Sequence, residues 1–129
     1  MIAAAVRKAE RQNVKVDFRP GVIEALPLPD QSFDRVVSSF MLHHMPDEVK
    51  RQGFAEVRRV LRSGGRFLAV DLRLHRFSVH AVLGRLFGGH PERQTRITEL
   101  GTMLEDAGFR DIRAGPTSFR SACFVEALS

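Results

Sequence analysis

Two short, nearly continuous apolar runs constrain this chain more than any other feature. Phe33 to Met45 reads FDRVVSSFMLHHM, and Phe67 to Leu72 reads FLAVDL. Such strands are buried on both faces and belong to parallel sheets covered by helices. The segment between them reads as a helix. Pro46 suits its first turn, and Asp47 and Glu48 sit well at its positive end. Val49, Gly53, Phe54, Val57, Val60 and Leu61 give it a buried stripe, and Arg58, Arg59 and Arg62 suit its C-terminal turn. Gly64 and Gly65 are expected to end it, Gly64 as a left-handed cap. Strand, helix and strand make a right-handed βαβ unit. In open α/β sheets ligands sit just beyond the carboxyl ends of the strands, so Ser38 to His44 is the first place to look for chemistry. Phe33 to Met45 is taken as the central strand and its outgoing loop.

The flanking segments extend this α/β pattern. Met1 to Gln12 reads as a helix, with Ile2, Val6 and Ala9 at helical spacing and Asn13 as its left-handed stop. Val16 to Arg19 alternates and predicts a strand that turns at Pro20-Gly21. Val22 to Leu28 is apolar apart from Glu24, and Pro27, Pro29 and Asp30 force an extended turn. From Arg73 to Arg96 the pattern breaks into a basic stretch with three histidines, in which Val79, Val82, Leu83 and Leu86 suit one short helix. Thr98 predicts an N-cap, followed by Leu100, Met103, Leu104 and Ala107 at helical spacing; Gly108 closes that helix and Phe109 packs back. Asp111 to Ala114 and Cys123 to Leu128 predict two last strands, antiparallel because a short turn-prone stretch joins them.

Composition narrows the class. At 129 residues the chain is one domain or part of one, and 43% hydrophobic residues suffice for a core. The net charge of +5 comes from arginines spread along the chain, which reads as a solvated basic surface and not as a nucleic-acid tail. Cys123 is the single cysteine, so no internal disulfide forms and a reducing, cytoplasmic setting is expected. No apolar run is long enough to span a bilayer.

The phrases MIAAAVRKAE, IEALPLPDQSFDRVVSSFMLHHMPDE, FAEVRRVLRSGGRFLAVDL and ITELGTMLEDAGFRDI, in this order, resemble a class I S-adenosylmethionine-dependent methyltransferase. The similarity is to the group that includes ubiquinone- and menaquinone-biosynthesis and related small-molecule methyltransferases, and it covers essentially the whole chain. It implies a Rossmann-like sheet, mostly parallel with an antiparallel C-terminal strand and flanked by helices. It also implies S-adenosylmethionine as cofactor and methyl transfer to a small molecule. The family opens with a strand, a G-x-G-x-G loop, a helix and a second strand ending in a ribose-binding acid. The ten glycines here contain no G-x-G. Residues 1–129 therefore correspond to a partial domain lacking the first two strands, with 73–96 as a substrate-cover insert. Two explanations stay open: a start placed too late or a split gene, or a genuine short protein, degenerate or paired with another chain. Either way, the side of Phe33 to Ser39 that the missing strands would cover is expected to be an open edge, favouring self-association or poor folding.

The resemblance also nominates residues. Val22 and Ile23 stand where the family carries an acid and a small residue against the adenine. Val22 cannot accept the amino hydrogen bond, while the Ile23 backbone N–H still offers a donor. Glu24 either substitutes at a distance or is a solvated turn residue. Ser39 matches a cofactor-contacting position at the strand end. Of His43 and His44, one either faces the substrate as a base near neutral pH or packs under the sheet edge. Asp71 either orients substrate or bonds backbone amides at the end of its strand. These three are the catalytic candidates. His75, His80 and His90 lack ligand spacing, so no metal is expected. The insert's Phe77, Leu83, Leu86 and Phe87 among arginines suit an amphipathic or anionic substrate, or a membrane surface.

Overall fold

The structure is a computed structural model that describes residues 2–72, 97–119 and 121–129. The expected insert at 73–96, with its histidines and short helix, lies outside the described residues, as does the side chain of Thr98.

Helix α1 spans Ile2–Arg11, and Asn13 follows it with φ 52°, the left-handed stop its side chain tolerates. Strand β1 is Phe33–Ser39, a 3-10 turn covers Leu42–His44, and helix α2 is Asp47–Val60 with Pro46 at its N-cap. Strand β2 is Leu61–Leu72, helix α3 Ile97–Asp106, strand β3 Arg110–Pro116 and strand β4 Ala122–Leu128. The sheet order is β1-β2-β4-β3. Strands β1 and β2 pair in parallel, and β4 runs antiparallel to both its neighbours. Three strands thus share one direction, as expected for the mostly parallel sheet.

The core forms where α2 and α3 cover the sheet. Phe54 and Val57 of α2, Leu100, Met103 and Leu104 of α3, Phe67 and Ala69 of β2 and Val125 and Ala127 of β4 are all buried together. Phe67 meets Phe54 and Phe109 with ring centroids 5.8 and 6.0 Å apart, within the range of favourable aromatic pairing. Gly108, at φ 91°, ends the third helix and lets Phe109 fold back, its N–H donating to Leu104 O at 3.0 Å.

Two expectations change. Val16 to Arg19 forms no strand. Val14 and Val16 are exposed, and no ladder reaches this segment; a strand-like sequence without a neighbour to accept its hydrogen bonds stays an extended coil. The Phe33–Ser39 strand forms the sheet edge among the described residues, as expected for a sheet without the family's first two strands, and β2 takes the inner position. The helix ends at Val60, with Leu61 already extended. Gly64 does adopt a left-handed φ of 76°, but past the helix, where the β1–β2 register shifts between Phe33 and Arg35.

Candidate functional site

The acidic turn in front of β1 is fixed by side chains of α2. Glu56 and Arg59 lie one helical turn apart, so both face the same neighbour. Arg59 donates to Leu26 O at 3.0 Å, Leu28 O at 2.9 Å, Asp30 Oδ1 at 2.5 Å and both Glu56 oxygens at 2.8 Å. Glu56 Oε2 also accepts the Leu26 N–H at 2.9 Å. The Arg59 guanidinium holds the Glu56 carboxyl below its ordinary pKa; the Leu26 N–H adds to this and desolvation opposes it. Glu56 and then Asp30 raise Arg59 in turn. Gln31 and Ser32 N–H groups donate to Arg59 O and Val60 O at 2.9 and 2.8 Å. The turn therefore enters β1 at a set angle.

This turn, β1 and the inner face of α2 enclose a cleft of about 380 Å³. Val22, Ile23 and Ser39, the three residues nominated for cofactor contact, all line it; Glu24 does not. Val22 stands 59% exposed at the lip, and the Ala25 N–H closes the turn onto Val22 O at 3.2 Å. Ile23 packs onto α2 at Gly53. A Cβ at Gly53 would lie 2.9 Å from Ile23 Cγ1, 3.1 Å from Cδ1 and 3.2 Å from Cγ2. Only a residue without a Cβ lets the turn sit this close. The cleft is otherwise apolar, walled by Leu26, Leu28, Val36, Val57 and Phe67. It lies within the size range of small-ligand sites. Its polar side chains are Arg19, Ser38 and Ser39, and Arg19 is paired with Asp17 at 2.6 Å.

At the carboxyl ends of β1 and β2 the structure brings His43 and Asp71 together. Phe40 N–H donates to Val70 O at 2.8 Å, which carries the chain leaving β1 across the end of β2. His43 Nδ1 and Asp71 Oδ1 are 2.5 Å apart, and the His43 backbone N–H donates to Oδ2 at 3.2 Å. The Leu72 N–H donates to Asp71 Oδ1 at 2.7 Å. Asp71 is buried and His43 nearly so, at 8% and 15% side-chain exposure. Asp71 bonds backbone amides at the end of its strand, one of the two expectations for it, and in addition holds the His43 ring. With the carboxylate accepting from Nδ1–H, the ring's free lone pair is at Nε2. His44 is exposed, and its ring centroid is 3.9 Å from that of His43. Neither histidine nor Asp71 lines the cleft. Cys123 is buried in β4, its Sγ 3.5 Å from Asp71 O. Among the described residues no group of three or more His, Cys, Asp or Glu side chains is arranged to hold a metal ion. No described helix is long and apolar enough to cross a membrane.

Sequence reasoning missed three contributors. Arg59 read only as a helix-end cation and Gly53 only as part of a stripe. Lys50 is buried, with Nζ 3.1 Å from Asp47 Oδ1, where the helical pattern had favoured Val49. The one available signal was the spacing of Glu56 and Arg59 behind a proline-rich turn.

Comparison with known proteins adds independent findings. A family model described as a methyltransferase domain matches residues 1–65. An uncharacterised methyltransferase, YcgJ of Bacillus subtilis, is 42% identical over 72 residues, covering 55% of this chain and 28% of that protein. The ubiquinone/menaquinone biosynthesis C-methyltransferase UbiE of Methylobacterium nodulans is 31% identical over 128 residues, covering 82% of this chain and 50% of that protein. The chain thus spans half or less of the length of these two relatives. A crystal structure of a SAM-dependent methyltransferase from Aquifex aeolicus superposes with a TM-score of 0.72 at 24% identity, over 96% of this chain and 61% of that one. That match shows the fold.

Proposed function

The chain belongs to the class I S-adenosylmethionine-dependent methyltransferases, and on that premise we propose that it forms one wall of a site for methyl transfer to a small-molecule acceptor. The observation that supports this reading is the convergence of Val22, Ile23 and Ser39 on one cleft, with a histidine–carboxylate pair at the carboxyl ends of the adjoining strands. The cleft fits the adenosyl part of the family's cofactor. It is apolar and of suitable volume, and one buried hydroxyl on it, Ser38 Oγ, has no protein partner. Val22, Ile23 and Ser39 would hold the adenosyl part, Ile23 through its backbone N–H. No carboxylate lines the cleft to take the ribose hydroxyls, so weak binding is expected from this chain alone. The sulfonium of S-adenosylmethionine supplies the electrophilic methyl group, which leaves orientation and exclusion of water to the protein. His43 Nε2 accepts the acceptor's proton, and Asp71 holds the ring in the tautomer that permits it. The setting proposed is cytoplasmic, in keeping with a single buried cysteine.

The test is calorimetric titration with S-adenosylhomocysteine, followed by transfer assays on a panel of phenolic and quinol acceptors. His43→Ala should lower transfer by roughly 10²–10⁴-fold with cofactor affinity unchanged, and Asp71→Asn should act in the same direction. Transfer that survives His43→Ala intact would remove the histidine from the mechanism. A second reading is a non-catalytic module that works with another polypeptide. It is favoured by the open edge of β1, where Val37 is 67% exposed, and by α1, which contributes no buried residue.

A further inference from the structure

The chain leaves β1 through a strained residue. Phe40 has φ 51°, a left-handed conformation that is uncommon for non-glycine residues and an outlier for bulky ones. Asn13 and Asp111 also adopt it, but their short polar side chains tolerate it. Strain of this kind persists only where the surroundings impose it, and it gathers at functional sites. The phenylalanine ring does not impose it, because Phe40 is 46% exposed. The restraints lie in the chain on either side. Before it, Ser39 is in register with Val70, and the Phe40 N–H donates to Val70 O at 2.8 Å, so β1 is paired to its last residue. After it, Leu42 is buried in the core. His43 then bonds Asp71, the residue next to Val70, through both its ring and its backbone N–H. An extended φ at Phe40 would carry the chain on along the direction of β1. The left-handed one turns it across the end of β2, where Asp71 stands.

We propose that Phe40 is a positioning residue: its left-handed backbone, and not its ring, sets His43 on Asp71 and so fixes the His43 tautomer. This rests on the reading of His43 as proton acceptor given above. With Nδ1–H held by Asp71, the lone pair is at Nε2. A ring released from Asp71 loses that constraint. Neutral imidazole in water prefers its proton on Nε2, where it blocks proton acceptance.

The experiment uses the full chain with its histidines labelled with nitrogen-15. Ring nitrogen and ring proton resonances are recorded for wild type, Phe40→Gly and Phe40→Val, in solution alkaline enough for neutral imidazoles, with His43→Ala to assign the signals. Glycine takes a left-handed φ freely, while a β-branched side chain resists it most. Phe40→Gly should therefore keep the Nδ1–H form of His43. In Phe40→Val the ratio of Nδ1–H to Nε2–H form should fall by about tenfold. A Phe40→Val chain that folds and keeps the wild-type ratio overturns the proposal and leaves His43 standing as proton acceptor. Loss of the Nδ1–H form in Phe40→Gly shows that the ring does the positioning, and overturns it too. If Phe40→Val does not fold, Phe40→Ala takes its place: its ratio must lie below that of Phe40→Gly, and equal ratios overturn the proposal. A wild-type chain whose His43 carries its proton on Nε2 removes the proton-acceptor reading and this proposal together.

Discussion

Gly53→Ala tests how the cleft is held together. In an ordinary helix interior this change stabilises by about 0.5–1 kcal/mol, because glycine loses more backbone entropy on folding. Here the new methyl carbon would stand 2.9–3.2 Å from three atoms of Ile23. The shortest of these is closer than real methyl carbons approach and the others are tighter than most, and Gly53 is buried, so either Ile23 gives way or α2 moves. Overpacking of this kind costs roughly 1–3 kcal/mol. The steric term exceeds the propensity gain, and the expected net effect is a loss of about 1 kcal/mol. Ile23→Ala relieves the clash. In the double variant the helix gain should reappear, giving a coupling energy of about 1–3 kcal/mol in a double-mutant cycle read from urea midpoints. Because Ile23 carries the turn that presents Val22 to the cleft, Gly53→Ala should also weaken S-adenosylhomocysteine binding. The reasoning is refuted if Gly53→Ala stabilises by the amount seen at an open helix site and the two substitutions add within about 0.5 kcal/mol.

Glu56 gives a pH prediction with a definite sign. Its carboxyl is held below its ordinary value by Arg59, so its contribution is complete above the unfolded value near 4.5 and fades as pH falls through the lower folded value. Urea midpoints measured from pH 6 downward should drop more steeply for the wild type than for Glu56→Gln, and parallel curves would contradict the clasp. Among the described residues β1 has no neighbour on its outer side, which predicts concentration-dependent self-association. Val37→Lys, which puts a charge on that edge, should shift sedimentation towards the monomer; a wild-type chain that sediments as a monomer at all concentrations would refute this.

Legibility followed the range of the interactions. The two apolar runs, the helix between them and the Gly108 stop depend on neighbours a few residues away, and all were readable. Antiparallel pairing of the last two strands was readable for the same reason. Val16 to Arg19 was not, because local alternation specifies a strand only where a partner strand is present to bond it. The buried Lys50 was hidden because helical spacing cannot say which side of a stripe faces the core.

The site divides in the same way. The family resemblance carried by the order of motifs nominated Val22, Ile23, Ser39, His43, His44 and Asp71. Which of them meet was a tertiary matter. Asp71 and His43 lie 28 residues apart, and only the parallel register of β1 on β2 brings them within hydrogen-bonding distance. Gly53 and Ile23 interlock across two elements, Arg59 reaches back over a turn distant in sequence, and the unpaired state of Ser38 Oγ exists only once the chain has closed around it. Sequence by itself determined the family and the positions of the candidate residues. Tertiary structure decided their partners, because a hydrogen bond or a steric contact depends on ångström separations that no one-dimensional pattern contains.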